Sequence, residues 1–219
     1  MRCAAALLGL LLGLTVLPFP VALGAEPLTR EEALTALQDK ADVARRREGV
    51  AGLGRTGLMS DVPALVQALR DPDAMVRALA EQSLWQVWGR SGDAEVDALF
   101  QRGLEQMQGR EIDAAIQTFT EVIRRKPEFA EGWNKRATLY YVQGDLEKSL
   151  ADCDEVMKRN PAHFGALSGY GLIYLQLGQP EQALRYFERA LAVDPNLDQV
   201  QAAVDALREA LGRQQRDTT

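Results

Sequence analysis

AEGWNKRATLYYVQGDLEKSLADCDEVMKRNPAH (130–163) and FGALSGYGLIYLQLGQPEQALRYFERALAVDPNL (164–197) have the same length and, laid one on the other, the same punctuation. Ala137 falls on Gly171, Tyr140 on Tyr174, Gly144 on Gly178, Ser149 on Ala183, Val156 on Ala190 and Pro161 on Pro195. Small and apolar residues recur at three and four, so the period is helical. The glycine divides two segments of about 14 residues, and the proline stops the second. Each unit reads as an antiparallel helix pair, small where the helices cross, with Trp133, Tyr140, Tyr174 and Phe187 filling the remaining space. Residues 96–129 form an earlier unit, with Gly103, Ala115, Phe119 and Pro127 at the same places and Gly109 one residue early.

This 34-residue spacing resembles the tetratricopeptide repeat (TPR), and the resemblance implies an array coiled into a right-handed superhelix with a concave binding face. The amphipathic segment 198–212 resembles the capping helix such arrays need. Residues 213–219 are expected to fray. The expected fold class is all-α, a helical-repeat solenoid.

Residues 28–93 differ. Thr29 and Glu32 have the T-x-x-E spacing of a capping box. ALQDKADVARRREGVAGL is then echoed by ALRDPDAMVRALAEQSL, with Leu37, Asp39 and Arg45 matching Leu69, Asp71 and Arg77 at an offset of 32. Pro63, Asp71, Val76 and Arg77 have the spacing of the HEAT-like repeat, another helical hairpin. SDVPALVQ (60–67) is answered by AEVDALFQ (94–101), so the two arrays are expected to share a helix in one continuous solenoid, with Trp85 and Trp88 packed at the join.

Residues 1–25 run from one basic residue through an apolar stretch, Ala4 to Leu17, to Pro18, Pro20 and a small-residue ending. That is the order of a cleavable secretory signal. A helix of about 14 residues rises about 21 Å, short of a bilayer core of about 30 Å. The expectation is a periplasmic or secreted protein with no stable membrane span after cleavage. The net charge of −6 becomes −7 once Arg2 leaves, which lacks the basic footprint for nucleic acid. Cys3 leaves too, so Cys153 has no disulfide partner.

GLGRTG (52–57) matches G-x-G-x-x-G, which cradles a pyrophosphate when it follows a strand and opens a helix. Here it follows a helical segment, and Gly89-Arg90-Ser91-Gly92 repeats its second half, so it reads as an inter-helix turn. His163, the only histidine, reads as a surface turn residue with no second ligand for a metal. Cys153 takes the slot of Phe119 and Phe187 and reads as a buried, inert thiol. In DCDE (152–155) only Asp152 and Glu155 share a helix face, which reads as a solvated outer face. Asp71 and Asp73 read as a turn and a helix start, and Arg45, Arg46 and Arg47 spread around their helix. No catalytic constellation, metal site or cofactor is expected, and the protein reads as a non-enzyme.

The TPR resemblance assigns the groove to the first helix of each pair. It implies Phe100, Gln101, Leu104 and Met107 from the first unit, then Asn134, Lys135, Thr138 and Tyr141, then Gly165, Ser168, Gly169, Leu172 and Leu175. The carboxylate clamp of co-chaperone TPR domains is rejected, because Phe100, Leu104, Ser168 and Leu172 stand where cations are needed. Gly165 and Gly169 suggest a recess walled by Leu172, Leu175 and Tyr141, filled either by a partner's apolar anchor or by the C-terminal helix. The function this implies is a protein-binding adaptor or scaffold that captures a peptide segment of an exported or envelope protein, with Asn134, Lys135 and Thr138 setting register. The alternative is an assembly subunit of an envelope complex, docked through its convex face or through Trp85 and Trp88.

Overall fold

The computed structural model describes residues 27–217, and among them every regular element is helical. The leader reading falls on residues 1–25, outside the described residues. The chain divides after Arg90 into two compact units.

The first unit contains α1 (Arg30–Leu37), α2 (Val43–Thr56), a 3-10 turn (Met59–Asp61), α3 (Val62–Ala68) and α4 (Ala74–Trp88). The capping box forms as expected. The Thr29 N–H donates to Glu32 Oε2 at 2.8 Å, and the Glu32 N–H donates back to Thr29 Oγ1 at 3.3 Å. Helix α2 packs on α1 and on α4, and its glycines make both approaches close. A Cβ at Gly49 would lie 2.6 Å from the Ala33 carbonyl oxygen, and one at Gly54 would lie 2.7 Å from Ser83 Oγ. GLGRTG is therefore not the expected inter-helix turn: Gly52 to Thr56 are the last turns of α2, and only Gly57 lies beyond it. Arg90 then closes the end of α2, donating to the carbonyls of Gly54 at 2.6 Å and Gly57 at 2.8 Å.

The internal echo is real but shifted. Asp42 and Asp73 cap α2 and α4 with their side chains, 31 residues apart. Arg46 donates to the carbonyls of Asp39 and Lys40, as Arg77 does to those of Asp71 and Pro72. The counterpart of Arg77 is thus Arg46, because the turn before α2 holds one more residue than the turn before α4. Each arginine of the RRR run has its own carboxylate: Arg45 meets Asp39 at 3.5 Å, Arg46 meets Asp71 at 2.8 Å and Arg47 meets Asp73 at 2.6 Å. Trp88 is buried and Trp85 half-buried, packed edge to face at 5.3 Å.

The second unit is α5 (Ala94–Gln108), α6 (Ile112–Arg125), α7 (Ala130–Gln143), α8 (Leu146–Arg159), α9 (Phe164–Gln176), α10 (Pro180–Val193) and α11 (Asp198–Asp217). These are three hairpins and a closing helix, which runs on to Asp217 rather than fraying from residue 213. The first helix of each pair ends in the same cap. Arg110, Gly144 and Gly178 take φ of 59°, 84° and 69°. The next residue's N–H, in Glu111, Asp145 and Gln179, bonds back to the carbonyls of Gln106, Tyr140 and Tyr174 at 2.8–2.9 Å. The early Gly109 thus leaves an arginine at the left-handed position.

Within the hairpins, size is exchanged across the helix pair. Phe119 and Phe187 lie over Gly103 and Gly171, whereas Cys153 accompanies Ala137. Phe119 also stacks edge to face with Phe100, which meets Phe129 in the same way. Arg136 of α7 pairs with Asp152 of α8 at 2.8 Å within its own hairpin and reaches the preceding one by donating to Thr120 Oγ1 of α6 at 3.0 Å. Asp152 is buried by this contact, so it is not on the solvated face expected of it. Burial raises its carboxyl above the ordinary value despite the guanidinium beside it.

Candidate protein-binding face

The first helices α5, α7 and α9 carry the thirteen positions expected to form the groove. Phe100, Asn134, Lys135, Thr138, Gly165, Ser168, Gly169 and Leu172 are buried, Leu104, Met107, Tyr141 and Leu175 are half-buried, and Gln101 is exposed. The reason differs by residue. Phe100 belongs to the core of the first hairpin, with Leu104 and Met107 against it. Thr138 and Ser168 donate their hydroxyls to the carbonyls one turn earlier, of Asn134 at 3.0 Å and Phe164 at 2.8 Å. Gly165 and Gly169 border a cavity of about 10 Å³ with Asn134, Thr138 and Tyr141. That is room for one water at most, not for a side chain. The expected recess is this narrow gap, lined by residues of α7, α8 and α9.

Asn134 and Lys135 belong to a buried polar cluster that the sequence reading missed. Its hub is Glu131, 2 % exposed, which lies one turn before Lys135 on α7. Glu131 accepts from Asn134 Nδ2 at 3.1 and 3.2 Å and pairs with Lys135 Nζ at 3.4 Å. His163 completes it from the other side. Its Nε2 lies 2.5 Å from Glu131 Oε1, and its Nδ1 accepts the Ala166 N–H at 3.0 Å, capping α9. An accepting Nδ1 places the ring's proton on Nε2, aimed at the carboxylate. His163 is fully buried, so the surface-turn reading is overturned: it does sit at a turn, but it closes the seam between two repeats. Burial alone would raise the Glu131 carboxyl, yet Lys135 and His163 hold it down at about 2.

The remaining chemical candidates are structural. Cys153 is buried, and burial pushes its thiol above the usual range, as expected of an inert residue. Tyr170 donates its hydroxyl to Asp154 and stacks on Tyr186 at 4.3 Å. Among the described residues no group of three or more His, Cys, Asp and Glu is placed to hold a metal ion, and no helix is long and apolar enough to cross a membrane.

Apart from the exposed Gln101, the groove positions that stay accessible are apolar or amphipathic, and three of them are periodic. Met107, Tyr141 and Leu175 stand 34 residues apart near the ends of α5, α7 and α9, each half-buried. Val142, next after Tyr141, and Leu177, two residues after Leu175, are 47 % and 40 % exposed.

Tetratricopeptide repeat profiles match residues 100–164 and 137–212. A TPR repeat-containing protein of Rhizobium etli is 34 % identical over 142 residues, covering 65 % of this chain and 69 % of that protein. Hsp70-Hsp90 organizing protein 2 of Arabidopsis thaliana is 25 % identical over 100 residues, 44 % of this chain but 18 % of its own length. Among solved structures, the Sgt2 TPR domain of Aspergillus fumigatus shares 21 % identity at a TM-score of 0.53, covering 57 % of this chain and 83 % of that domain. The first TPR of Spaghetti (RPAP3), bound to the HSP90 peptide SRMEEVD, shares 22 % at 0.51, covering 53 % and 93 %. These two show the fold alone. With three hairpins of 34 residues, repeated caps and a relative of this extent, the chain belongs to the tetratricopeptide repeat family.

Proposed function

We propose that the chain is a non-enzymatic adaptor that captures a segment of a partner protein along the first helices of its TPR unit. The observation that carries this is the apolar line Met107, Tyr141 and Leu175, repeated once per hairpin and flanked by exposed Val142 and Leu177. A repeated line of apolar anchors on a rigid scaffold suits an extended or helical segment, because each hairpin offers an equivalent contact without reordering. Asn134, Lys135 and Thr138 are turned to Glu131 and to the backbone, so register comes from the apolar spacing instead.

The leader-like order of residues 1–25 and the similarity to a Rhizobium etli protein support a bacterial, exported adaptor whose partner is an exported or envelope protein. The matched contacts of Arg46 and Arg77 support a HEAT-like repeat in the first unit. The test is a crosslinking pull-down from the native compartment with the wild type and a Tyr141→Ser, Leu175→Ser variant that keeps its helical circular dichroism. Loss of the same partners from the variant supports the face. Their retention rejects it, and with it the capture reading.

A further inference from the structure

Lys135 is the only cation among the thirteen groove positions, and the structure assigns its charge to this chain rather than to a partner. We propose that Glu131 determines the class of segment the TPR face accepts: by closing on Lys135 and Asn134 it makes the face refuse carboxylate-rich segments and take uncharged, apolar ones. This rests on the capture reading above.

The donors are occupied: both contacts of Asn134 Nδ2 go to Glu131, and Lys135 Nζ stands 3.4 Å from the same carboxylate. They are also shut away, Asn134 at 5 % and Lys135 at 7 % exposure. For an acidic ligand to recruit Lys135, the buried pair must break and leave Glu131 without its nearest countercharge, which is the costly way to disrupt a buried ion pair. Glu131 cannot follow Lys135 outward, because His163 holds it from the turn before α9 while capping that helix. Nor does the neighbouring repeat help: Asp97, 34 residues before Glu131, is a second carboxylate, and it already accepts the Ser91 N–H at 2.7 Å. The two carboxylates outnumber the one cation, so a negative segment meets no complementary charge. The partly accessible Leu104, Met107, Tyr141 and Leu175 are apolar or amphipathic.

The experiment uses the purified full chain and two fluorescent probes: SRMEEVD with its free carboxylate, and an uncharged amphipathic peptide with leucines at helical spacing. Wild type is expected to bind the apolar probe at least tenfold more tightly than SRMEEVD, with an affinity that changes less than twofold between low and physiological salt. Glu131→Gln, which releases Lys135 but keeps a hydrogen-bonding side chain, is expected to gain at least tenfold for SRMEEVD. Tighter binding of SRMEEVD to wild type, or no gain in a folded Glu131→Gln, overturns the proposal. Should that variant fail to fold, amine acylation of the wild type decides: Lys135 is expected to label at least tenfold more slowly than Lys148 and Lys158, and equal labelling overturns it. Failure of the capture reading is separate. There the apolar probe is insensitive to Tyr141→Ser and Leu175→Ser, whatever Glu131 does.

Discussion

Gly171 lies so close beneath Phe187 that a Cβ added to it would stand 2.3 Å from the ring's Cε1. Phe187 is fully buried and cannot swing away. Gly171→Ala is therefore expected to destabilise the fold, since overpacking costs about 1–3 kcal/mol and exceeds the roughly 1 kcal/mol that alanine gains in a helix. A lower melting temperature checks this, and an unchanged or higher one would mean that the hairpin yields.

The same position in the middle repeat predicts a coupling. Ala137 faces Cys153 where its neighbours pair glycine with phenylalanine. Cys153→Phe alone should clash with the Ala137 methyl, and Ala137→Gly alone should lose packing and helix propensity. The double variant restores the arrangement of the other two hairpins. A double-mutant cycle by chemical denaturation should give a favourable coupling above about 1 kcal/mol, and additive single effects would contradict the exchange.

The repeats were legible because helix crossings constrain residue size, and size survives in the sequence as Gly103, Ala137 and Gly171 or as Phe119 and Phe187. Burial of polar groups was not. His163 stands in a turn and is polar, which reads as surface, and its burial depends on Glu131, 32 residues away, which no local period reports. Asp152 is hidden by Arg136 for the same reason. The shift of the first unit's echo from 32 to 31 came from one added residue in a turn, which leaves the helices equivalent but displaces any simple offset.

Arg110 takes φ 59° where Gly144 and Gly178 take 84° and 69°. Left-handed backbone costs an L-residue roughly 1–2 kcal/mol, a penalty glycine escapes. Arg110→Gly should stabilise the chain by about 1 kcal/mol, partly offset by glycine's extra freedom when unfolded. Gly144→Ala should do the reverse. Opposite shifts in denaturation midpoint are the expected result, and a destabilised Arg110→Gly would show that the arginine side chain matters more than its backbone.

In the first unit, Gly49 and Gly54 separate two kinds of close approach. A Cβ at Gly49 meets backbone, the Leu37 nitrogen at 2.5 Å, whereas one at Gly54 meets side-chain atoms of Gln86 and Ser83. Side chains can turn aside and backbone cannot. Gly49→Ala should cost more than Gly54→Ala, by at least 1 kcal/mol on the scale of overpacked sites. Neither ATP nor NAD should raise the melting temperature, because GLGRTG is helix and not a phosphate cradle.

The Glu131 cluster gives the seam between the second and third repeats a pH dependence with a definite sign. Its carboxyl is held at about 2, below the ordinary 4.5, against burial, by the charge of Lys135 and the hydrogen bond from His163. A carboxylate whose folded value is depressed adds stability above its unfolded value and loses it as the pH falls through the folded one. The contribution is thus complete above about pH 5 and declines between about pH 4.5 and 2. A displacement of this size corresponds to about 3 kcal/mol at neutrality, of which about 2 kcal/mol is gone by pH 3. Asp73 and Glu121 are also held at about 2, but their side chains are 22 % and 33 % exposed, where screening reduces what such pairs contribute. Glu131→Gln isolates the buried group, since the amide keeps contacts to Asn134 and His163 without titrating. The variant should be less stable than wild type at pH 7, and the gap should narrow steadily toward pH 3. A constant gap across that range would mean that Glu131 holds the seam by shape and hydrogen bonding, with its charge contributing nothing.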